Sequence, residues 1–176
     1  MKKLNQFIAE KFRISKDNLE PHYNYQPKTK NELKQLADKL IKERGNDADL
    51  NDIDTSEITD MSSMFEDSKF NGDISNWDVS KVKDMEAMFA SSEFNGDISN
   101  WDVSKVKNMN RMFWGTKFNG DISQWDVSNV EEMFGMFSYS EFNGDISQWD
   151  VSNVENMGWV FNFCPLHKNP PKWYKE

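Results

Sequence analysis

The chain has 176 residues, a formal net charge of −9, one cysteine and two histidines. That length supports one core of ordinary size but not two substantial domains, and a lone cysteine excludes an internal disulfide framework. Residues 1–45 carry eleven Lys and Arg against six Asp and Glu, a net +5, which leaves −14 on the remainder; so acidic a body repels phosphate backbones, and direct nucleic-acid binding by it is not expected.

The opening MKKLNQFIAEKFRISK is basic, but Glu10, Lys11, Arg13 and Lys16 interrupt the apolar run that a signal peptide needs. With no export signal or membrane span in view, the expected location is cytoplasmic, away from membranes. Within LNQFIAEKF, Leu4, Phe7, Ile8 and Phe12 share one helical face, so a short helix is expected there. A proline-bounded connector, PHYNYQPK, follows. In PKTKNELKQLADKLIKERG, Thr29 and Glu32 have capping-box spacing, Leu33, Leu36, Ala37, Leu40 and Ile41 form one stripe, and Gly45 closes it; the spacing predicts an amphipathic helix. Residues 1–45 are expected to be a helical cap and not an independent domain.

From Phe70 the sequence becomes periodic. FNGDISNWDVSKV starts at Phe70 and Phe94, and FNGDISQWDVSNV starts at Phe118 and Phe142, each 24 residues after the last. Extending the period backwards sets Leu50, Ile53, Ile58, Met61, Met64 and Phe65 in register as a degenerate first copy. Extending it forwards sets Leu166 under Phe142 and Trp173 under Trp149. Residues 46–164 are therefore read as a repeat body, and residues 165–176 as a C-terminal half-repeat cap.

A unit this small cannot bury its own apolar face, but stacked copies make continuous columns. The expected columns are Trp77, Trp101, Trp125, Trp149 and Trp173; Val82, Val106, Val130 and Val154; Met85, Met109, Met133 and Met157; and Phe89, Phe113, Phe137 and Phe161. Trp77-Asp78-Val79 alternates as a short strand does, and Met85, Met88 and Phe89 have the spacing of one helical turn. The fold class expected is an α/β solenoid, a leucine-rich-repeat-like stack of 24-residue coils. Each coil would hold one short strand and one helical turn, under the N-terminal helical cap.

The wording FNGDISxWDVSxVxxMxxMF resembles a short bacterial repeat of unknown function found in mycoplasma-type and Listeria-type surface lipoproteins, related to BspA-like leucine-rich repeats. The likeness covers about residues 50–161. It implies a leucine-rich-repeat-like solenoid, binding of proteins or host surfaces, no known catalytic activity and, taken alone, a place at the cell surface. The start of this chain shows neither the lipoprotein signal nor its lipid-bearing cysteine.

No zinc spacing, phosphate loop or nucleophile elbow is present, so neither a cofactor nor a catalytic residue is expected. Cys164 and His167 are three residues apart without a third orienting group, which is coincidence more readily than a catalytic pair. The Asp73 and Asp78 columns suit local hydrogen bonds to following serines better than calcium.

The copies differ after the strand. Arg111, Trp114, Phe134, Tyr139, Trp159 and Phe163 fall at varied positions, where the first two copies have no aromatic side chain. Exposed aromatic and arginine side chains mark interfaces, so these six are the candidate partner-binding residues. The function expected is a non-enzymatic, monomeric protein-binding module with an unidentified protein partner. The alternative is an acidic inhibitor of bacterial or phage origin that imitates nucleic acid.

Overall fold

The computed structural model describes residues 23–175; the helix expected around Leu4–Phe12 lies outside them. Helix α1 spans Lys30–Arg44. Its start follows from Thr29, whose extended backbone presents the hydroxyl to the Glu32 N–H at 3.2 Å. Glu32 reaches back, but to the N–H of Lys28 at 2.7 Å, one residue earlier than in a reciprocal capping box. The helix ends at Gly45, where a φ of +97° turns the chain while its N–H donates to the Ile41 carbonyl at 2.8 Å. The buried face is Leu33, Ala37 and Leu40, joined to the core of the repeat body, with Leu36 and Ile41 packed at its margin. Polar contacts fix the docking: Arg44 grips Asp52 with two bonds of 2.9 Å, and Lys30 meets Asp60 at 3.3 Å and the Ser62 hydroxyl. The basic head thus meets carboxylates of the first copy.

Behind α1 the 24-residue copies stack in register. Single-residue parallel bridges link Asp60, Asp84, Asn108, Glu132 and Asn156, each to the equivalent residue of the next copy. The expected columns are present as packed side chains. Phe65, Phe89, Phe113 and Phe137 stack with ring centroids 5.7 Å apart, and Phe161 continues the column at 6.1 Å. Phe70, Phe94, Phe118 and Phe142 form a second column at 6.2–6.4 Å, touching the first at 4.2–4.7 Å. The tryptophans are inward as well, each indole N–H donating to a carbonyl 27 residues earlier: Trp101 to Ile74 at 3.2 Å, Trp125 to Ile98 at 3.1 Å, Trp149 to Ile122 at 3.2 Å. Trp77 begins this ladder on Leu50 and Trp173, in the tail, ends it on Ile146. The columns open at their C-terminal end, where Val154 and Met157 are only half-buried.

The α/β solenoid with a strand and a helical turn in every coil is not what forms. Among the described residues there is one α-helix and a short 3-10 turn, Pro165–His167; bridges are isolated, and no named strand or sheet exists. Two local causes displace the strand expected at Trp77–Val79. Asp73 and Asp78 each accept from the N–H two residues on, at 2.9 Å, bending the chain on both sides of that tripeptide. In addition, turns close from Trp77 N–H to the Ile74 carbonyl and from Val82 N–H to the Val79 carbonyl. Three residues between two bends are too few for a ladder.

The expected helical turn at Met85–Phe89 is instead a run of overlapping turns. Met88, Ala90 and Ser92 donate to carbonyls three residues back, while the intervening N–H groups of Met85, Ala87, Phe89 and Ser91 donate to the next copy. Half the donors point along the stack, so an α-helix, which keeps its donors to itself, is excluded. The buried spacing of Met85, Met88 and Phe89 survives because the turns place the same side chains inward.

Candidate functional site

The turn run that replaces the helix carries the varied residues. It contains two left-handed positions per copy, four residues apart. The first series is Ser63, Ala87, Arg111, Gly135 and Trp159; the second is Asp67, Ser91, Gly115, Tyr139 and Phe163, all with φ between 52° and 67°. Each lies third in a tight turn closed by a bond from the following residue, the place where a type II turn demands positive φ. Glycine adopts that conformation freely and fills one slot in each series, whereas a side chain there costs about 1–2 kcal/mol. The slots form two rows along the stack, where Asp67, Ser91, Arg111, Tyr139, Trp159 and Phe163 are exposed and Ala87 is covered.

Between the rows runs a groove of about 410 Å³. Arg111, Trp114, Phe134, Tyr139 and Trp159 line it, and Phe163 adjoins it by stacking on Tyr139 with centroids 4.9 Å apart. All six residues singled out in the sequence therefore come together. On one side Trp114 meets Tyr139 edge-on at 5.7 Å. On the other, the Arg111 guanidinium lies over Phe134 at 5.6 Å, and Phe134 packs on Trp159 at 5.5 Å. Trp114, Tyr139, Trp159 and Phe163 are 38, 53, 65 and 69% exposed, and they are the exposed large hydrophobic residues of the described chain. Tyr139, Trp159 and Phe163 also occupy left-handed slots.

Sequence reasoning missed the other end of the groove. Glu66 and Glu86, from the first two copies, line it beside the small residues Ser63, Ala87, Ala90 and Ser91. Both glutamates are exposed, and neither makes an ion pair among the described residues. Their signal was available, because they occupy the same varied registers as Trp114 and Phe134.

A family model described as a Mycoplasma protein of unknown function, DUF285, matches residues 32–140 and again residues 115–174. The chain belongs to this family. The two matches overlap, as a 24-residue period allows, and together they take in α1 from Glu32 onwards and the whole groove. The DUF285 description assigns no activity. No curated protein and no solved structure matches the chain.

The aspartate columns are occupied locally. Asp97, Asp121 and Asp145 accept from the N–H groups of Ser99, Ser123 and Ser147 at 2.9 Å, and Asp102 and Asp126 accept from the hydroxyls of Ser104 and Ser128 at 2.6 Å. Backbone N–H donation first, and the serine hydroxyl second, hold Asp97, Asp121 and Asp145 below the usual carboxylate range; Asp73 is held there by the Ser75 N–H first, then by the Asn51 side chain and the Ser75 hydroxyl. At Asp102 and Asp150 the serine hydroxyl is the larger cause. Among the described residues no three His, Cys, Asp or Glu side chains are placed to hold a metal ion. Cys164 is buried, which pushes its thiol up and away from nucleophile chemistry. No helix of the described chain is long and apolar enough to cross a membrane.

Depressed carboxyl groups have a consequence for pH. A carboxylate whose folded pKa lies below its unfolded value of about 3.9 stabilises the fold above that value, and the contribution is lost as pH falls through the folded pKa. Melting temperature is therefore expected to hold from neutral pH to about pH 5 and to fall below about pH 4, which thermal melts across that range will check. A melting temperature that rose on acidification would contradict the turn assignment.

Proposed function

We propose that this protein is a non-enzymatic protein-binding module whose working surface is the aromatic groove. The observation that carries the reading is the gathering of exposed aromatic side chains at one place on the stack. The exposed large hydrophobic side chains gather in one patch, and three of them sit at left-handed positions that glycine fills one or two copies earlier. The left-handed backbone belongs to the repeat, since Ser63, Asp67, Ala87 and Ser91 share it; what sets this patch apart is that its slots carry large exposed aromatic side chains where the turn accepts glycine. Tryptophan, tyrosine and arginine, moreover, are the side chains that dominate protein interfaces.

Affinity capture from lysate of the native cell tests this. The wild-type chain is expected to retain a protein that Trp114→Ala and Tyr139→Ala bind about tenfold or more weakly, since truncating a central interface aromatic costs about 2 kcal/mol or more. Their melting temperatures should stay near the wild-type value, because neither side chain belongs to the core.

The acidic-inhibitor reading predicts the opposite pattern. Asp102→Asn and Asp126→Asn remove charge while keeping the oxygen that accepts from the following serine. Capture abolished by those changes and untouched by the aromatic ones would replace the groove with an acidic ladder that imitates nucleic acid.

A further inference from the structure

We infer that the groove takes an extended segment of a cationic partner protein, about six residues long, with a Lys or Arg side chain at its Glu66–Glu86 end and apolar side chains between the aromatic rows. This rests on the protein-binding reading above and adds the chemistry and orientation of the occupant.

Length comes from the stack. Copies joined by parallel backbone bridges advance by about 4.8 Å each, so four steps from the copy of Glu66 to that of Trp159 span about 19 Å. An extended chain rises about 3.3 Å per residue, which makes roughly six residues. The lining residues come from five successive copies, which suits a chain laid lengthwise.

Chemistry comes from the gradient along it. At one end two exposed glutamates stand above small residues, without an ion pair among the described residues. Glu86 accepts one bond, from the Asn108 amide at 3.2 Å, and a carboxylate has room for more. Towards the other end the walls are Trp114, Tyr139 and Trp159, while the one cationic lining residue, Arg111, stands mid-groove, lies against the Phe134 ring and lines a side recess with Glu86 without pairing to it. Unmet negative charge beside small side chains admits a long basic side chain. The aromatic end offers apolar area, and its ring faces also favour a cation. The whole chain, at −9, attracts a basic partner and repels an acidic one.

The test is selection from a phage-displayed library of random heptapeptides on the full chain, with counter-selection on the Trp114→Ala/Trp159→Ala double variant. Enriched peptides should carry Lys or Arg towards one end and Leu, Phe, Tyr or Trp over the rest. A synthetic peptide of that sequence should bind Glu66→Gln/Glu86→Gln about tenfold more weakly at low salt, with the difference shrinking at high salt and melting temperature unchanged. Aromatic-dependent peptides without a basic end, or indifferent to the glutamate change, would overturn the cationic assignment and leave the interaction reading standing. If no peptide depends on the aromatics while a glycan on an array does, the peptide occupant is wrong; the lysate capture judges protein binding separately.

Discussion

Trp125→Ala is expected to destabilise the protein by about 3–5 kcal/mol, the cost of emptying a large buried aromatic site. Trp125 lies mid-stack and almost fully buried, packs on Phe113 at 6.3 Å and donates its indole N–H to the Ile98 carbonyl at 3.1 Å. Most of the loss is packing, because that carbonyl keeps a second donor, the N–H of Trp101 at 3.2 Å. Trp125→Phe separates the parts: it retains a ring and removes the donor, and should cost less than the alanine change. Urea denaturation of both variants gives the comparison. An unchanged midpoint for Trp125→Ala would contradict the inward tryptophan column.

Deleting residues 1–45 should have an effect of similar weight through a different route. The deletion removes the buried Leu33, Ala37 and Leu40 together with the grip of Arg44 on Asp52, and it bares the apolar end of the first copy, including Leu50 and Ile53. Repeat stacks need polar-faced ends to stay soluble, so the truncated chain is expected to aggregate or to lose its cooperative transition. Size-exclusion chromatography and a thermal melt decide it. A soluble, monomeric truncation with an unchanged transition would show that α1 is not a cap and would leave the basic head free for another role.

The columns were legible because four near-identical copies at one spacing force equivalent residues into equivalent surroundings. Trp101 and Trp125, or Phe89 and Phe113, cannot differ in placement without breaking the register. The helix over Lys30–Arg44 was legible from its stripe and its cap. The secondary structure inside a copy was not. Trp77-Asp78-Val79 alternates for only three residues, and the Asp-x-Ser turns on either side outweigh so short a pattern. Met85, Met88 and Phe89 point inward at helical spacing, yet the bonds that hold them run between copies, and side-chain periodicity reads the same in both cases.

The repeated glycine is a further instance. In Asn95-Gly96 the sequence suggests a turn, and the structure supplies a different need. A Cβ on Gly96 would lie 2.9 Å from the Phe94 ring and 3.2 Å from the Gly72 carbonyl of the preceding copy, while its φ is ordinary. Asn95 meanwhile belongs to a ladder, its N–H donating to the side-chain oxygen of Asn71 at 2.7 Å and its own side-chain oxygen accepting from Asn119 at 2.9 Å.

The six candidate residues were legible as a group because they vary where the frame does not. What the sequence alone concealed was their backbone. Gly115 and Gly135 were its only mark, since a glycine among varied residues at a fixed register points to positive φ. Glu66 and Glu86 occupy the same registers and escaped notice because a search for aromatic side chains passes over them.

On the proposed function, Tyr139, Trp159 and Phe163 are kept for binding and not for the fold. The direct measurement is the unfolding free energy of the triple variant Tyr139→Gly/Trp159→Gly/Phe163→Gly. Relief of about 1–2 kcal/mol at each left-handed residue offsets the lost aromatic contacts, about 0.5–1.5 kcal/mol per pair, and the backbone entropy of glycine, about 0.5–1 kcal/mol per site. Stability is predicted to stay within about 2 kcal/mol of wild type. A loss as large as that expected from emptying one core aromatic, about 3–5 kcal/mol, would contradict the claim and return these side chains to the fold.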